Sequence, residues 1–517
     1  MNKIEHVVQL MFENRSLDNL LGYLYTPADP PKQNIPPENP PRYDGLAFGG
    51  PYSNKDQNNT AVPVHDGTAQ YPDAKGKLNS KNVVPTPNSG EPFDEVTQQI
   101  FNGGNTANMS GFVANYESQQ GVTNKNTRQI MDSYATTQLK ALSALAKSFA
   151  VCDAWFSPMP TQTWPNRGFA HCGSSDGHVL NKPFLPWPID TIFTVLENLG
   201  ISWNVFHDTL YTPALTMLQF RQHFALHSKF DRISSFLTRC NAPANALPSM
   251  KLPAYSFVEP RFIAERVITK VHHSEDYHPP NNVQHAEKFL VEIYNAVRSS
   301  PYRDRILLLV TFDEHGGTYD HVVPPSGATA PLPKPVAKNG FKYDRWGVRT
   351  PAVVVSSYVK PGTVFRAKKG ATPYDHTSVL ATLRDWKKIA PGDFLPSPRI
   401  AAAPTLDAVL TESQPNQNWP EITSLWHEQA EMAFEGVAGA EDDDEALLEQ
   451  RPDDLEQSIV GATEYYLRHH DEPVLEGVGV DETTGALEGI EVTEKAEAIP
   501  TREDAMERLR GMVLSRE

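Results

Sequence analysis

The chain is 517 residues long, 39% apolar and 21% charged, with 44 prolines, and its formal net charge is −17 at neutral pH. Such a length can bury a sizeable core, yet no apolar run approaches the ~18 residues of a membrane span, and three widely spaced cysteines, Cys152, Cys172 and Cys240, do not form a disulfide framework, although a Cys152–Cys172 bridge stays open. Residues 431–517 hold 25 acidic and 7 basic side chains, so the first 430 are near neutral, and neither part has the clustered basic face of a nucleic-acid binder.

The N-terminus, with Lys3 followed by Glu5 and His6, does not read as a signal peptide. A cytoplasmic location as synthesised is expected, with export lacking a cleavable signal as the alternative. Ile4 to Phe12 is a buried strand that exits at Glu13-Asn14-Arg15-Ser16, and Leu17, Leu20, Leu21 and Leu24 then recur at helical spacing. Residues 26–92 dissolve into Pro, Asn, Gly and Asp, an irregular loop read either as a cover over the strand ends or as a solvated linker. Helical periodicity returns from Ser133 to Ala150 at Leu139, Leu142, Leu145 and Phe149. A strand from Val151 leads into a proline-bounded turn that holds Thr163. Ile201 to Phe206 is a short strand ending at His207 and Asp208. A helix over Ala286 to Val297 feeds the apolar strand Ile306 to Val310, which runs into TFDEHGGTYDHVVPP. Pro351 to Ser356 gives one more strand, followed by Lys360-Pro361-Gly362 and YDHTSVL at Tyr374 to Leu380. Strands alternating with helices predict an α/β fold, a mostly parallel central sheet with helices on both faces.

Two of these strands end in oxygen-bearing side chains, Glu13-Asn14 and Asp313-Glu314. Ligands of an open α/β sheet bind beyond the carboxyl ends of its strands. Taken singly, the first pair is equally a solvent-facing turn and the second a helix cap; together they point to one metal site. An all-oxygen set favours Ca²⁺, Mg²⁺ or Mn²⁺, with Zn²⁺ open as well. Arg167 is either a phosphate clamp or the partner of a nearby carboxylate.

HVVQLMFENRSLDNLLG (His6 to Gly22), TQTWPNR (Thr161 to Arg167), His278-Pro279-Pro280, FDEHGGTYDHVVPP and YDHTSVL occur in that order. Together they resemble the phosphoesterase family of non-haemolytic phospholipases C and related acid phosphatases, whose fold is alkaline-phosphatase-like. The resemblance runs from about Met1 to Lys388. It implies a catalytic domain over residues 1–415, with 416–517 an acidic extension that is helical or partly disordered. It further implies that Glu13, Asn14, Thr163, Asp313 and Glu314 ligate a divalent cation and that Thr163 is the nucleophile. A threonine hydroxyl is weak at neutral pH, and metal coordination is one way to activate it; as a plain turn residue, Thr163 would carry no chemistry. His278 and His207 match positions used near the phosphate, where a histidine can protonate the leaving oxygen. His315 and His321 are candidates for orienting the ligands, and Asp375 and His376 for completing the site, with a helix N-cap as the other reading of Asp375.

One departure stands out. Many members carry Asp-Pro-Gly-His where this chain has Asn88-Ser89-Gly90-Glu91, so Glu91 replaces an expected phosphate-side histidine. The implied activity is phospholipase C action on glycerophospholipids such as phosphatidylcholine, through a phospho-threonine, releasing diacylglycerol. The alternatives are an acid phosphatase acting on small monoesters, or a catalytically silent binding protein. Leu46, Phe48, Trp155, Phe156 and Trp164 either line an acyl entrance or belong to the core. Membrane contact is expected to be peripheral only. In the extension, Ile422 to Phe434 and Glu503 to Val513 have helical spacing, and the stripe of Met506, Leu509, Met512 and Val513 is expected to serve self-association or to restrain the enzyme.

Overall fold

The computed structural model describes residues 1–424, apart from 74, 183–184, 210–211 and 268–269, and then residues 452–469 and 501–508, apart from 506. Its centre is a nine-stranded sheet. In chain order the strands are β1 (His6–Phe12), β2 (Gln33–Ile35), β3 (Ala150–Cys152), β4 (Trp203–His207) and β5 (Phe230–Arg232), then β6 (Tyr255–Glu259), β7 (Ile306–Phe312), β8 (Ala352–Val355) and β9 (Thr363–Phe365). Across the sheet they lie β2-β9-β3-β8-β7-β1-β6-β4-β5. All neighbours are parallel except β8, which is antiparallel to β7 and β3. The central strands β1 and β7 are apolar almost throughout and buried, as a sheet covered on both faces requires.

Helices cover both faces. On one, Phe12 of β1 packs edge-on against Phe289 of the long helix Val283–Ser299, with ring centroids 6.3 Å apart. On the other, Phe257 of β6 meets His171 of the helix Thr163–Cys172 at 4.7 Å. The helix Lys140–Ser148 receives an unusual cap: the Glu287 carboxylate accepts the Ala141 N–H at 2.6 Å and the Leu142 N–H at 3.0 Å. Those are orphan donors of a first turn, satisfied here from another helix.

Several expectations need correction. Residues 26–92 are not wholly irregular: Gln33–Ile35 extends the main sheet, and Ser53–Lys55 pairs with Ala61–Pro63 in a hairpin. Three-residue strands leave too short a pattern to be read from periodicity. The helix begins at Lys140, because Asp132–Ser133 pairs instead with His65–Asp66. Thr163 opens a buried helix and does not sit in a turn; Pro165 falls in the first turn, where a missing N–H costs nothing. All three cysteines are free and buried. Leu46, Trp155, Phe156 and Trp164 are buried in the core, whereas Phe48 packs against the core half-buried and lines a cavity with Glu38 to Arg42.

The described part of the extension folds onto the body. Leu455, Ile459, Val460 and Ala462 of the helix Asp454–His469, with Ala505, bury themselves against Trp164, Leu218, Phe220 and Phe262. The Trp164 indole N–H donates to Ser458 Oγ at 2.8 Å, and Lys182 reaches Asp454 at 3.2 Å. Ile422 joins the main core. Residues 425–434, Met506, Leu509, Met512 and Val513 lie outside the described residues. Among the described residues no helix is long and apolar enough to cross a membrane.

Candidate active site

Parallel pairing in register brings Phe12 level with Phe312, so the residues that follow, Glu13-Asn14 and Asp313-Glu314, emerge side by side at the carboxyl edge of the sheet. The chain turns sharply there. Asn14 adopts a left-handed backbone (φ 49°), which asparagine tolerates better than most side chains, and its N–H donates to Asp313 Oδ1 at 3.1 Å. The turn after Glu314 passes so close that a Cβ on Gly316 (φ +61°) would lie 2.2 Å from the Asn14 carbonyl oxygen. The helix that Thr163 opens aims its hydroxyl at this edge, 3.1 Å from Glu13 Oε2 and 3.4 Å from Asn14 Oδ1. One turn later on the same face, Arg167 Nε donates to Glu13 Oε1 at 2.7 Å and Nη1 lies 3.4 Å from Glu259 Oε1.

All of these side chains are buried. Burial, against the opposing pull of Arg167, holds the Glu13 carboxyl well above the usual carboxylate range, and Asp313 beside it adds to the rise. Burial does the same to Glu314, with Glu91 and Asp313 reinforcing it. Asp313 Oδ2 and Glu314 Oε1 are buried without a hydrogen-bond partner. Unpaired carboxylate oxygens in an interior are costly unless something cationic meets them. The residues therefore fit a divalent cation: Glu13, Asn14, Thr163, Asp313 and Glu314 offer only oxygen donors, and two of those donors have no partner.

Other candidates divide by place. His315 Nδ1 lies 3.1 Å from Glu314 Oε2 while Nε2 meets Gln99 Oε1 at 2.8 Å, and burial lowers the ring to about 3. It holds Glu314 in position. His376 Nε2 lies 2.6 Å from the Asp313 carbonyl and Nδ1 accepts the Trp155 indole N–H at 3.1 Å, which fixes the neutral tautomer and the strand exit. Asp375 lies one residue before the N-cap His376 of the helix Thr377–Lys387: its Oδ1 takes the Thr377 N–H at 2.8 Å, while Oδ2 binds Arg399 and Trp346. His207 stands apart, its Nδ1 2.6 Å from Thr209 Oγ1, and burial lowers it to about 3. His321 belongs to a neighbouring cluster. Although burial opposes it, Asp18 raises this histidine to about 9. There, ligand atoms of Asp18, Asp320 and His321 lie within 4.8 Å of one another, but Arg349 donates to both carboxylates and balances them.

Beyond the ligand cluster, His278 Nε2 lies 3.4 Å from Glu91 Oε1. Burial pushes Glu91 up to about 7 although His278 opposes the shift. A cavity of about 810 Å³ opens beside them, lined in part by Glu91, Gln162 and Pro280. The sequence reading missed Glu259 and Asp276, both buried with one unpartnered carboxylate oxygen. Glu259 was findable: YSFVE is another apolar strand ending in a carboxylate.

The Phosphoesterase family model matches residues 4–389. Non-specific phospholipase C4 of Arabidopsis thaliana is 31% identical over 450 residues, 81% of this chain and 74% of that protein. Phospholipase C B of Mycobacterium tuberculosis is 25% identical over 465 residues, 82% of this chain and 81% of its own. Among solved structures, a protein in the alkaline phosphatase superfamily from Vibrio parahaemolyticus aligns over 54% of this chain and 65% of that one, at 11% identity and a TM-score of 0.29. With five motifs in order and a match across most of its length, the chain belongs to the Phosphoesterase family.

Proposed function

We propose that this protein is a metal-dependent phospholipase C that cleaves glycerophospholipids such as phosphatidylcholine to diacylglycerol and a phosphorylated head group. The observation that carries the reading is the Thr163 hydroxyl beside Glu13 and Asn14, next to two buried carboxylate oxygens without partners. A bound divalent cation, held by Glu13, Asn14, Thr163, Asp313 and Glu314, would withdraw charge from the phosphoryl oxygens and favour the threonine alkoxide. Glu13 Oε2 accepts the hydrogen of the Thr163 hydroxyl. The Thr163 Oγ1–phosphorus bond forms as the bond from phosphorus to the glycerol oxygen breaks. That oxygen needs a proton, and the pair of Glu91 and His278 is placed to hold one. Water then hydrolyses the phospho-threonine. Arg167 stays on Glu13 and Glu259, so it acts by orienting a ligand and not by clamping phosphate.

Hydrolysis of a small monoester is the second reading, favoured by the absence of an apolar entrance at Leu46, Trp155 and Trp164. The test is phosphorylcholine release from phosphatidylcholine micelles beside hydrolysis of p-nitrophenyl phosphate, for wild type and Thr163→Ala, with divalent cations removed and restored. Lipid cleavage that needs both Thr163 and the cation supports the phospholipase. Turnover of the small ester alone moves the assignment to a phosphatase, and no turnover of either leaves a binding protein.

A further inference from the structure

The C-terminal extension brings Asp453, which lines the cavity, beside His278. Asp453 precedes the helix Asp454–His469 and exchanges hydrogen bonds with Glu456: Asp453 Oδ1 accepts the Glu456 N–H at 2.8 Å, and Glu456 Oε2 accepts the Asp453 N–H at 3.0 Å. This reciprocal cap uses one carboxylate oxygen. The other, Oδ2, lies 3.5 Å from His278 Nδ1 and 3.7 Å from Arg502 Nη2. Arg502 is itself buried and fixed by its Nε on Glu456 at 2.9 Å. Capping alone does not call for a charge here, since Asn and Ser cap as well as Asp. The largely buried second oxygen of Asp453 thus stands between the His278 imidazole and the Arg502 guanidinium.

We propose that Asp453 is a positioning residue for His278, so that the extension completes the catalytic centre in cis. This rests on the reading of His278 and Glu91 as the pair that protonates the leaving oxygen. His278 Nδ1 lies 2.6 Å from the Pro279 carbonyl oxygen, and the backbone N–H of His278 donates to Asp276 Oδ1 at 3.1 Å. The charged groups that face the ring are thus Glu91 on Nε2 and Asp453 on Nδ1, with Asp276 behind its backbone and Arg502 behind Asp453. A carboxylate beside the remote nitrogen joins the Pro279 carbonyl in holding the orientation of the ring. Asp453, Gln457 and Arg502 also line the same cavity as Glu91, Gln162 and Pro280, so the extension forms part of its wall.

Asp453→Asn keeps the cap and removes the charge. In the full-length protein with divalent cation present, it is expected to lower kcat on phosphatidylcholine at least about tenfold with KM unchanged. On p-nitrophenyl phosphorylcholine, whose phenolate leaves without a proton, the loss is expected to stay below about twofold. The thermal midpoint is expected to hold, Asp453→Ser to behave alike, and Asp453→Glu to recover part of the activity. Wild-type rates for Asp453→Asn on both esters would reduce Asp453 to a helix cap and overturn the proposal. Equal losses on both, or a lowered thermal midpoint, would overturn it too, by making the extension a support for the fold. A wild type inert toward both of these diesters would remove the phospholipase reading, and this inference with it.

Discussion

Arg167→Met probes the charge balance of the site most directly. Among the described residues, the cation that pairs with Glu13 and Glu259 is this guanidinium, which is fully buried. Methionine fills much of the volume and removes the charge. Glu259 would still accept the Thr216 N–H at 3.0 Å and hydroxyl at 2.5 Å, whereas Glu13 would keep the Thr163 hydroxyl beside the Asp313 carboxyl, which adds to its charge problem. Glu13 is thus the stranded charge. Removing one partner of a buried ion pair costs about 3–5 kcal/mol, and the lower end is expected because Glu13, already raised by burial, can take up a proton. The sign follows from that proton. A carboxyl whose folded pKa is raised contributes stability at low pH that is lost as pH rises through the folded value. The variant's deficit is therefore expected to be smaller at pH 5 than at pH 8. Urea unfolding in the presence of chelator, at both pH values, measures it. A deficit under about 1 kcal/mol at pH 8, or one of the same size at both pH values, would refute the account. Arg167→Lys is expected to recover little, because an ammonium cannot reproduce the forked contact.

Further outcomes follow from single contacts. Glu91→Gln removes a carboxyl raised to about 7 by burial; phosphatidylcholine turnover is expected to fall by roughly 100-fold, with Glu91→His retaining more, and steady-state assays across pH 5–9 compare them. Gly316→Ala would drive a Cβ to 2.2 Å from the Asn14 carbonyl at a φ of +61°; a loss of at least about 1 kcal/mol is expected, together with weaker cation binding in a thermal-shift titration. Glu287→Ala leaves the Ala141 and Leu142 N–H groups and the Tyr277 hydroxyl without their buried acceptor, at an expected cost of about 2–4 kcal/mol by urea midpoint. Burial raises Glu287 to about 7 from 4.5; its protonation-linked stability is present below pH 4.5 and lost as pH rises through 7, so the advantage of wild type over Glu287→Gln is expected to shrink across that window.

The contrast between Glu13 and His207 shows what the sequence could and could not deliver. Both follow or end apolar strands, and the rule that ligands gather at the carboxyl edge places both on the same rim. For Glu13 and Asp313 this sufficed, because β1 and β7 are immediate neighbours in register. His207 ends β4, level with Glu259 and separated from β1 by the whole of β6. At about 4.8 Å per strand, that displaces it roughly 10 Å along the rim, into the company of Thr209 and away from Thr163. Strand order, which no local pattern encodes, decided the matter, and the same order brings the unnoticed Glu259 to Arg167.

The extension failed to read for a different reason. Its acidic excess resembles a solvated tail, and Asp453 with Glu456 is legible only as a helix start. What charge counting cannot see is pairing at long range: Asp454 lies on Lys182, Glu456 on Arg502, and Asp453 between Arg502 and His278, 175 positions back along the chain. Three acidic residues that look like solubility in composition are thereby committed to particular cations in space. A segment that buries Leu455 and Ile459 against Trp164, the residue next to Thr163, ties its own folding to the geometry of the helix that Thr163 opens.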